Sequence, residues 1–252
     1  MSFNTDIKPQ AAAFKLWAEL GHLHPSEVEI EDLAFLRNIL VKSGGVTGAS
    51  GRLIRLNDRG LICYNNNIPY AGQRRFTIAH ELGHWILHSE KHQFMLCNES
   101  DMRDYGKSTM EREANLFAAE LLMPTTHFRP QAAALDPSID NIQKLAKEFQ
   151  TTLTATAIRF TDTSRKNIQV VWAENGLIKW SYMKKNSKVN RIRCIQLPQY
   201  SSATLPANQI TDHMDHYDQA DWFPNYRNSY EVMEQTIKMA NLNASLTLLE
   251  VN

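Results

Sequence analysis

The chain has 252 residues, 27 Lys and Arg against 27 Asp and Glu, and a hydrophobic fraction of 43%. That length holds one sizeable domain, or one domain and a small module, and zero net charge gives no global field to gather nucleic acid or an anionic membrane. No run approaches eighteen uninterrupted apolar residues, the start Met1-Ser2-Phe3-Asn4-Thr5-Asp6 lacks a basic region followed by an apolar block, and three scattered cysteines (Cys63, Cys97, Cys194) fit neither a disulfide framework nor a cysteine zinc knuckle. A soluble cytoplasmic protein is expected, with no membrane contact.

Helical periodicity runs over residues 11–23 and 26–42, interrupted at Pro25 and ended near Ser43-Gly44-Gly45. Arg52 to Leu56 and Leu61 to Asn65 read as two strands around Asn57-Asp58-Arg59-Gly60, a hairpin signal. This hairpin is placed to hold an extended peptide by main-chain pairing, although an ordinary sheet hairpin fits the sequence equally well. A helix follows Tyr70-Ala71-Gly72. Met102 to Lys107 read as loop, a second helix covers Glu111 to Met123, and Pro130 to Ser138 read as a proline-containing connection. Residues 139–160 have the pattern of a helix-turn-helix, with Gln150 where the turn usually has glycine. Its second helix offers Thr154, Thr156 and Arg159 but little other positive charge, so direct DNA binding is not expected. From about residue 165 the pattern turns to strands. Ile168 to Ala173 and Leu177 to Tyr182 flank Glu174-Asn175-Gly176, and Thr236 to Met239 and Ser245 to Val251 flank Ala240-Asn241-Leu242-Asn243. The run Asp212-His213-Met214-Asp215-His216-Tyr217-Asp218 has metal-binding residue types, but nothing fixes its geometry, and a solvated loop is the simpler reading.

The chemistry concentrates in His80-Glu81-Leu82-Gly83-His84, an H-E-x-x-H sequence inside an apolar helix. Residues four apart share a helix face, so both imidazoles reach one zinc ion, while Glu81 projects beside it as a general base toward water. The face opposite the histidines carries Ile78, Leu82, Trp85 and Ile86, so the helix is expected to be buried. A tetrahedral site needs a third protein ligand. Leu87 and Glu90 stand where an extended motif would have glycine and a third histidine, so a downstream carboxylate is expected among Glu90, Glu99, Asp101, Asp104, Glu111, Glu113 and Glu120. On a helical wheel Glu113 lies among Leu116, Phe117, Leu121 and Met123. A carboxylate centred on an apolar stripe wants a cation, which favours Glu113, with Glu120 second and Glu111 turned away toward Ala118 and Leu122. Tyr105 is the first candidate donor to an oxyanion, and Tyr64, Tyr70, His88 and His92 compete. His88 is also a candidate for supporting the ligands from behind, and Cys97 for capping the metal through its thiolate.

Arg75-Phe76-Thr77-Ile78-Ala79-His80-Glu81-Leu82-Gly83-His84, with Glu113-Ala114-Asn115-Leu116-Phe117-Ala118-Ala119-Glu120-Leu121-Leu122-Met123-Pro124 downstream, resembles the ImmA/IrrE family of zinc metallo-endopeptidases over about residues 15–160. The resemblance implies an α+β, zincin-like metallopeptidase domain: a small sheet packed on the H-E-x-x-H helix and further helices, including the helix-turn-helix-like pair. It implies zinc (or manganese) on His80, His84 and Glu113, Glu81 as base, and site-specific cleavage of a helix-turn-helix repressor that releases stress-response or mobile-element genes. The expected division is a metallopeptidase domain over 1–163 and a small β-rich module of unknown role over 164–252. The competing readings are a non-catalytic regulator with a metal site that binds a repressor or DNA, and a partner in a toxin–antitoxin pair.

Overall fold

The computed structural model describes residues 8–21, 23–46, 48–88, 94–97 (backbone only), 109–185, 187, 189–193, 195–206, 212–224, 230–239 and 242–252. It is a mixed α+β protein that packs as two compact units: residues 1–127 with 147–152, and residues 128–146 with 153–252.

The first unit opens with α1 (Pro9–Glu19), which starts on a proline and stops before Gly21 at φ 73°, short of residue 23. The segment 26–42 is not one helix. It splits into a single 3₁₀ turn (Pro25–Glu27), α2 (Ile30–Phe35) and strand β1 (Ile39–Gly44). Asn38 takes φ 60°, which ends the helical run, and Ile39 and Val41 then enter a sheet, the backbone state that β-branched residues favour. β2 (Gly51–Leu56) and β3 (Arg59–Asn65) form the expected hairpin, turned by Asn57 at φ 56°. With β4 (Phe94–Cys97) they complete a four-stranded sheet of order β1-β3-β2-β4, in which β1 runs parallel to β3 and the other pairs are antiparallel. The hairpin therefore has a partner on each side, β1 on β3 and β4 on β2. Its strands have no free edge over Gly51–Ile54 or Gly60–Asn65 for an added peptide, which corrects the expectation for 52–65.

The sheet packs on α3 (Ala71–Leu87), the helix carrying H-E-x-x-H, and α3 packs in turn on α4 (Thr109–Leu122). Leu53, Ile62 and Ile39 from the sheet meet Ile78, Ala79 and Leu82 of α3 and Phe117, Leu121 and Leu122 of α4 in one core, and α1 closes it with Trp17 donating its indole N–H to the Leu121 carbonyl at 2.9 Å. The α3–α4 contact is made by small residues. A Cβ added at Gly83 would lie 3.2 Å from Ala114 Cα and 3.0 Å from the Phe117 ring, so the two backbones approach more closely than larger side chains permit.

Residues read as a proline-containing connection instead begin inside α5 (Thr125–Ala133), which accommodates Pro130 within a short helix. α6 (Ile139–Glu148) and α7 (Leu153–Thr163) are joined by a turn in which Gln150 takes φ 53°. The glycine-like backbone of a helix-turn-helix is thus present without glycine. The second sheet has five antiparallel strands in the order β6-β5-β9-β8-β7, namely β5 (Ile168–Glu174), β6 (Leu177–Met183), β7 (Asp215–Tyr217), β8 (Val232–Met239) and β9 (Ala244–Val251). Both expected hairpins form. The first turns on Asn175 and Gly176 at φ 53° and 76°, the pair of positive values that a tight two-residue turn requires. β9 is buried along its whole length, and a short helix α8 (Gln219–Trp222) contributes Trp222 to the core on this sheet.

Candidate metal centre

α3 presents His80 and His84 on successive turns with His88 at its C-cap, and His80, Glu81 and His84 are fully buried. Among the described residues, one set of at least three His, Cys, Asp or Glu side chains converges closely enough to hold a metal ion: His80, His84 and Glu111. His80 Nε2 and His84 Nε2 are 3.0 Å apart, Glu111 Oε2 is 3.1 Å from His80 Nε2, and Glu111 Oε1 is 3.3 Å from His84 Nε2. Ligands about 2.05 Å from a tetrahedral zinc stand about 3.3 Å from one another, so these three edges have the size of a zinc coordination face.

The proton positions make the same case. His80 Nδ1 lies 2.9 Å from Asn115 Oδ1, an acceptor, so the proton sits on Nδ1 and Nε2 keeps its lone pair. His88 Nε2 lies 2.9 Å from Glu113 Oε2, a carboxylate acceptor, so in a neutral His88 the proton sits on Nε2 and Nδ1 is the acceptor. His84 Nδ1, 3.1 Å from that nitrogen, must then be the donor, which leaves His84 Nε2 bare as well. Two nitrogen lone pairs and a carboxylate face one another across about 3 Å in a buried cluster, and this is a donor set for a cation. Burial pushes the His84 imidazole down to about 4, with Glu111 opposing and His80 and His88 adding to the fall, so His84 is neutral at pH 7 as a ligand must be.

Glu111, rather than Glu113, stands against the histidine pair. Both faces of α4 are buried, Ala114, Asn115, Ala118 and Leu122 beside Glu111 and Phe117 and Leu121 beside Glu113, so the choice lies in which face meets the histidines of α3. The wheel weighed the large apolar residues, but the helix contact is set by Gly83 against Ala114, and small residues carry little weight on a hydrophobicity wheel. Glu120 is occupied elsewhere: its carboxylate accepts from the Thr125 backbone N–H at 2.8 Å and hydroxyl at 2.9 Å, capping the start of α5. Tyr64 packs against the first core, and Tyr70 is exposed just before α3. Tyr105, His92, Glu90, Glu99, Asp101, Asp104 and the side chain of Cys97 lie outside the described residues. His213 and His216 make exposed pairs with Asp215 and Glu231 and do not join a ligand cluster among the described residues.

Two further residues shape the site. A Cβ added at Gly51 of β2 would lie 2.7 Å from Glu81 Oε1 and 2.7 Å from Thr77 Cγ2, so only glycine lets this strand pass the buried carboxylate. Arg55 of β2 donates to the His84 backbone carbonyl at 2.6 Å and lies 4.4 Å from the Trp85 ring, tying the sheet to the last turn of the motif helix.

The model of the M78 peptidase family, described as the IrrE N-terminal-like domain, matches residues 37–161, a span that contains all of these side chains. The chain belongs to the ImmA/IrrE family. It is 33% identical over 95 residues to Metallopeptidase ImmA of Bacillus subtilis (strain 168), an alignment covering 38% of this chain and 50% of that protein. The chain thus matches about half the length of that relative. A Mycobacterium tuberculosis transcriptional regulator shares the fold, with a TM-score of 0.61 at 17% identity over 96% of this chain and 87% of the other. Among the described residues, no helix is long and apolar enough to cross a membrane.

Proposed function

We propose that this ImmA/IrrE-family protein is a zinc endopeptidase that cuts a helix-turn-helix transcriptional repressor at one site. The observation that carries the reading is the convergence of His80 Nε2, His84 Nε2 and the Glu111 carboxylate at zinc-ligand spacing beside the buried Glu81. His80, His84 and Glu111 would hold the ion. Bound there, zinc supplies Lewis acidity that polarises a peptide carbonyl and acidifies water. Glu81 takes the proton from the attacking water and passes it to the departing amine. Asn115 and His88 fix the ring orientations through the two Nδ1 atoms. Gly51 lets β2 pass close beside Glu81 without displacing its carboxylate. Tyr105 remains the first candidate donor to the oxyanion.

The substrate strand would lie along β4, whose outer side is an edge of the first sheet among the described residues. β4 pairs with β2 over Gly51–Ile54 on its inner side, which leaves its outer side for main-chain pairing with an extended peptide. A compact repressor must expose a linker or open locally to become extended there, and that step gives regulation a place to act. The soluble, cytoplasmic setting, the repressor as partner, and a separate C-terminal module over 164–252 belong to the same proposal.

A DNA-binding role gains little from α7, the would-be recognition helix. Residues 153–161 are all at least half-buried, and α7 packs on β5 and β6 of its own unit. The test is to incubate the zinc-loaded protein with the repressor encoded beside its gene and to read the products by mass spectrometry. One discrete cut, absent with Glu81→Gln, is expected. A tight complex with no cut would favour the non-catalytic regulator or toxin–antitoxin partner instead.

A further inference from the structure

We infer that Glu113 and His88 form a hydrogen-bonded relay that positions His84 as a metal ligand, with Glu113 acting on the metal from two residues away. The inference rests on the ligand set His80, His84 and Glu111 proposed above. Its geometry is a chain of three contacts: Glu113 Oε2 to His88 Nε2 at 2.9 Å, His88 Nδ1 to His84 Nδ1 at 3.1 Å, and His84 Nε2 at the ligand cluster.

With Glu113 ionised and His88 neutral, the state this relay assigns to them, one direction of donation satisfies every link. A carboxylate accepts and never donates when ionised, so Glu113 draws the His88 proton to Nε2. A neutral imidazole protonated at Nε2 is an acceptor at Nδ1, so it takes the proton of His84 Nδ1 and leaves the His84 Nε2 lone pair aimed at the metal. Without Glu113, His88 loses its preference between tautomers. The form protonated at Nδ1 would then set an N–H against His84 Nδ1 and favour the wrong His84 tautomer, with its proton on the ligand nitrogen. His80 reaches the same state by a shorter route, through Asn115 Oδ1. The two carboxylates of the Glu111-Arg112-Glu113 sequence therefore divide the work: one meets the ion, and the other sets the ring that meets it.

His88 and Glu113 are positioning residues. Changes in such outer partners typically weaken metal binding about 10–100-fold. The Glu113 side chain is 38% exposed, and water can partly replace it, so the low end of that range applies to it. The experiment measures zinc affinity by competition with a chromophoric chelator for wild type, Glu113→Ala, His88→Phe, the double variant and Glu111→Gln, with the thermal transition of each metal-free protein as a folding control. Glu113→Ala should weaken zinc about 10-fold without unfolding the protein, Glu113→Asp should recover part of the loss, and the double variant should be no weaker than His88→Phe alone because the two act in series. Long-range ¹H–¹⁵N spectra of the zinc form should show His88 protonated at Nε2 and His84 at Nδ1, with the His88 pattern changed by Glu113→Ala.

Wild-type affinity in Glu113→Ala, losses that multiply in the double variant, or a His88 protonated at Nδ1 would each overturn the relay. If Glu111→Gln abolishes tight zinc binding while Glu113→Ala does not alter it, the relay alone falls. If Glu111→Gln keeps wild-type affinity, the ligand set falls and takes the relay with it.

Discussion

Glu81 and Gly51 decide at the scale of single residues whether this centre can act. Glu81→Gln preserves size and hydrogen bonding but removes the base. Zinc content and thermal stability should match wild type while cleavage falls by about 10²–10⁴-fold, measured as the rate of repressor cutting; a rate near wild type would remove Glu81 from the mechanism. Gly51→Ala acts by volume, because its methyl group would sit 2.7 Å from Glu81 Oε1. Either the base or the strand must shift, and a misplacement of about 1 Å commonly costs about 100-fold in rate. The expected result is severe loss of cleavage with zinc retained, since the added methyl lies against Glu81 and Thr77 rather than a proposed ligand. Loss of zinc in this variant would mean that β2 supports the ligands directly.

At the scale of elements, the α3–α4 contact determines which carboxylate meets the histidines. Gly83→Val adds bulk where a Cβ already lies 3.0 Å from the Phe117 ring and 3.2 Å from Ala114 Cα. It should separate the helices, destabilise the protein by about 1–3 kcal/mol and weaken zinc binding by moving Glu111, which denaturant melts and metal titration would read together. The meeting of His80 and His84 was legible in sequence because residues four apart share a helix face. Which carboxylate faces them was not, because that depends on how two helices meet, with Gly83 against Ala114 at the contact. The strand β1 was hidden for a related reason: Ile39 to Ser43 completes an apolar helical period, and only pairing with β3 and the left-handed Asn38 reveal the strand. The hairpin at Asn175-Gly176 was legible because the turn residues themselves specify the backbone. Gln150 is an intermediate case: its φ of 53° is a glycine conformation held by another residue. Gln150→Gly should raise stability by up to about 1 kcal/mol, read as a higher melting temperature; a lower one would show that its side-chain hydrogen bond to the Ser26 carbonyl outweighs the backbone strain.

At the scale of the whole molecule, the family-matched span over residues 37–161 contains the buried histidine–carboxylate cluster, and the balanced charge gives no global field. The second unit has its own polar centre. Glu234 is buried on β8 and accepts from Ser201 at 2.8 Å, from Trp222 at 2.7 Å and from Ser202 and Thr236. Glu234→Ala strands these buried donors and should destabilise that sheet by about 2–5 kcal/mol, visible as an earlier transition in a thermal melt; an unchanged transition would mean that the site relaxes around water.

The central claim is the identity of the third ligand, and the most direct measurement is anomalous diffraction at the zinc edge from crystals of the zinc-loaded protein. One peak is expected, about 2.0–2.2 Å from His80 Nε2, His84 Nε2 and a Glu111 carboxylate oxygen, with Glu113 held on His88. A peak coordinated by Glu113, or no peak between the two histidines, would contradict the account.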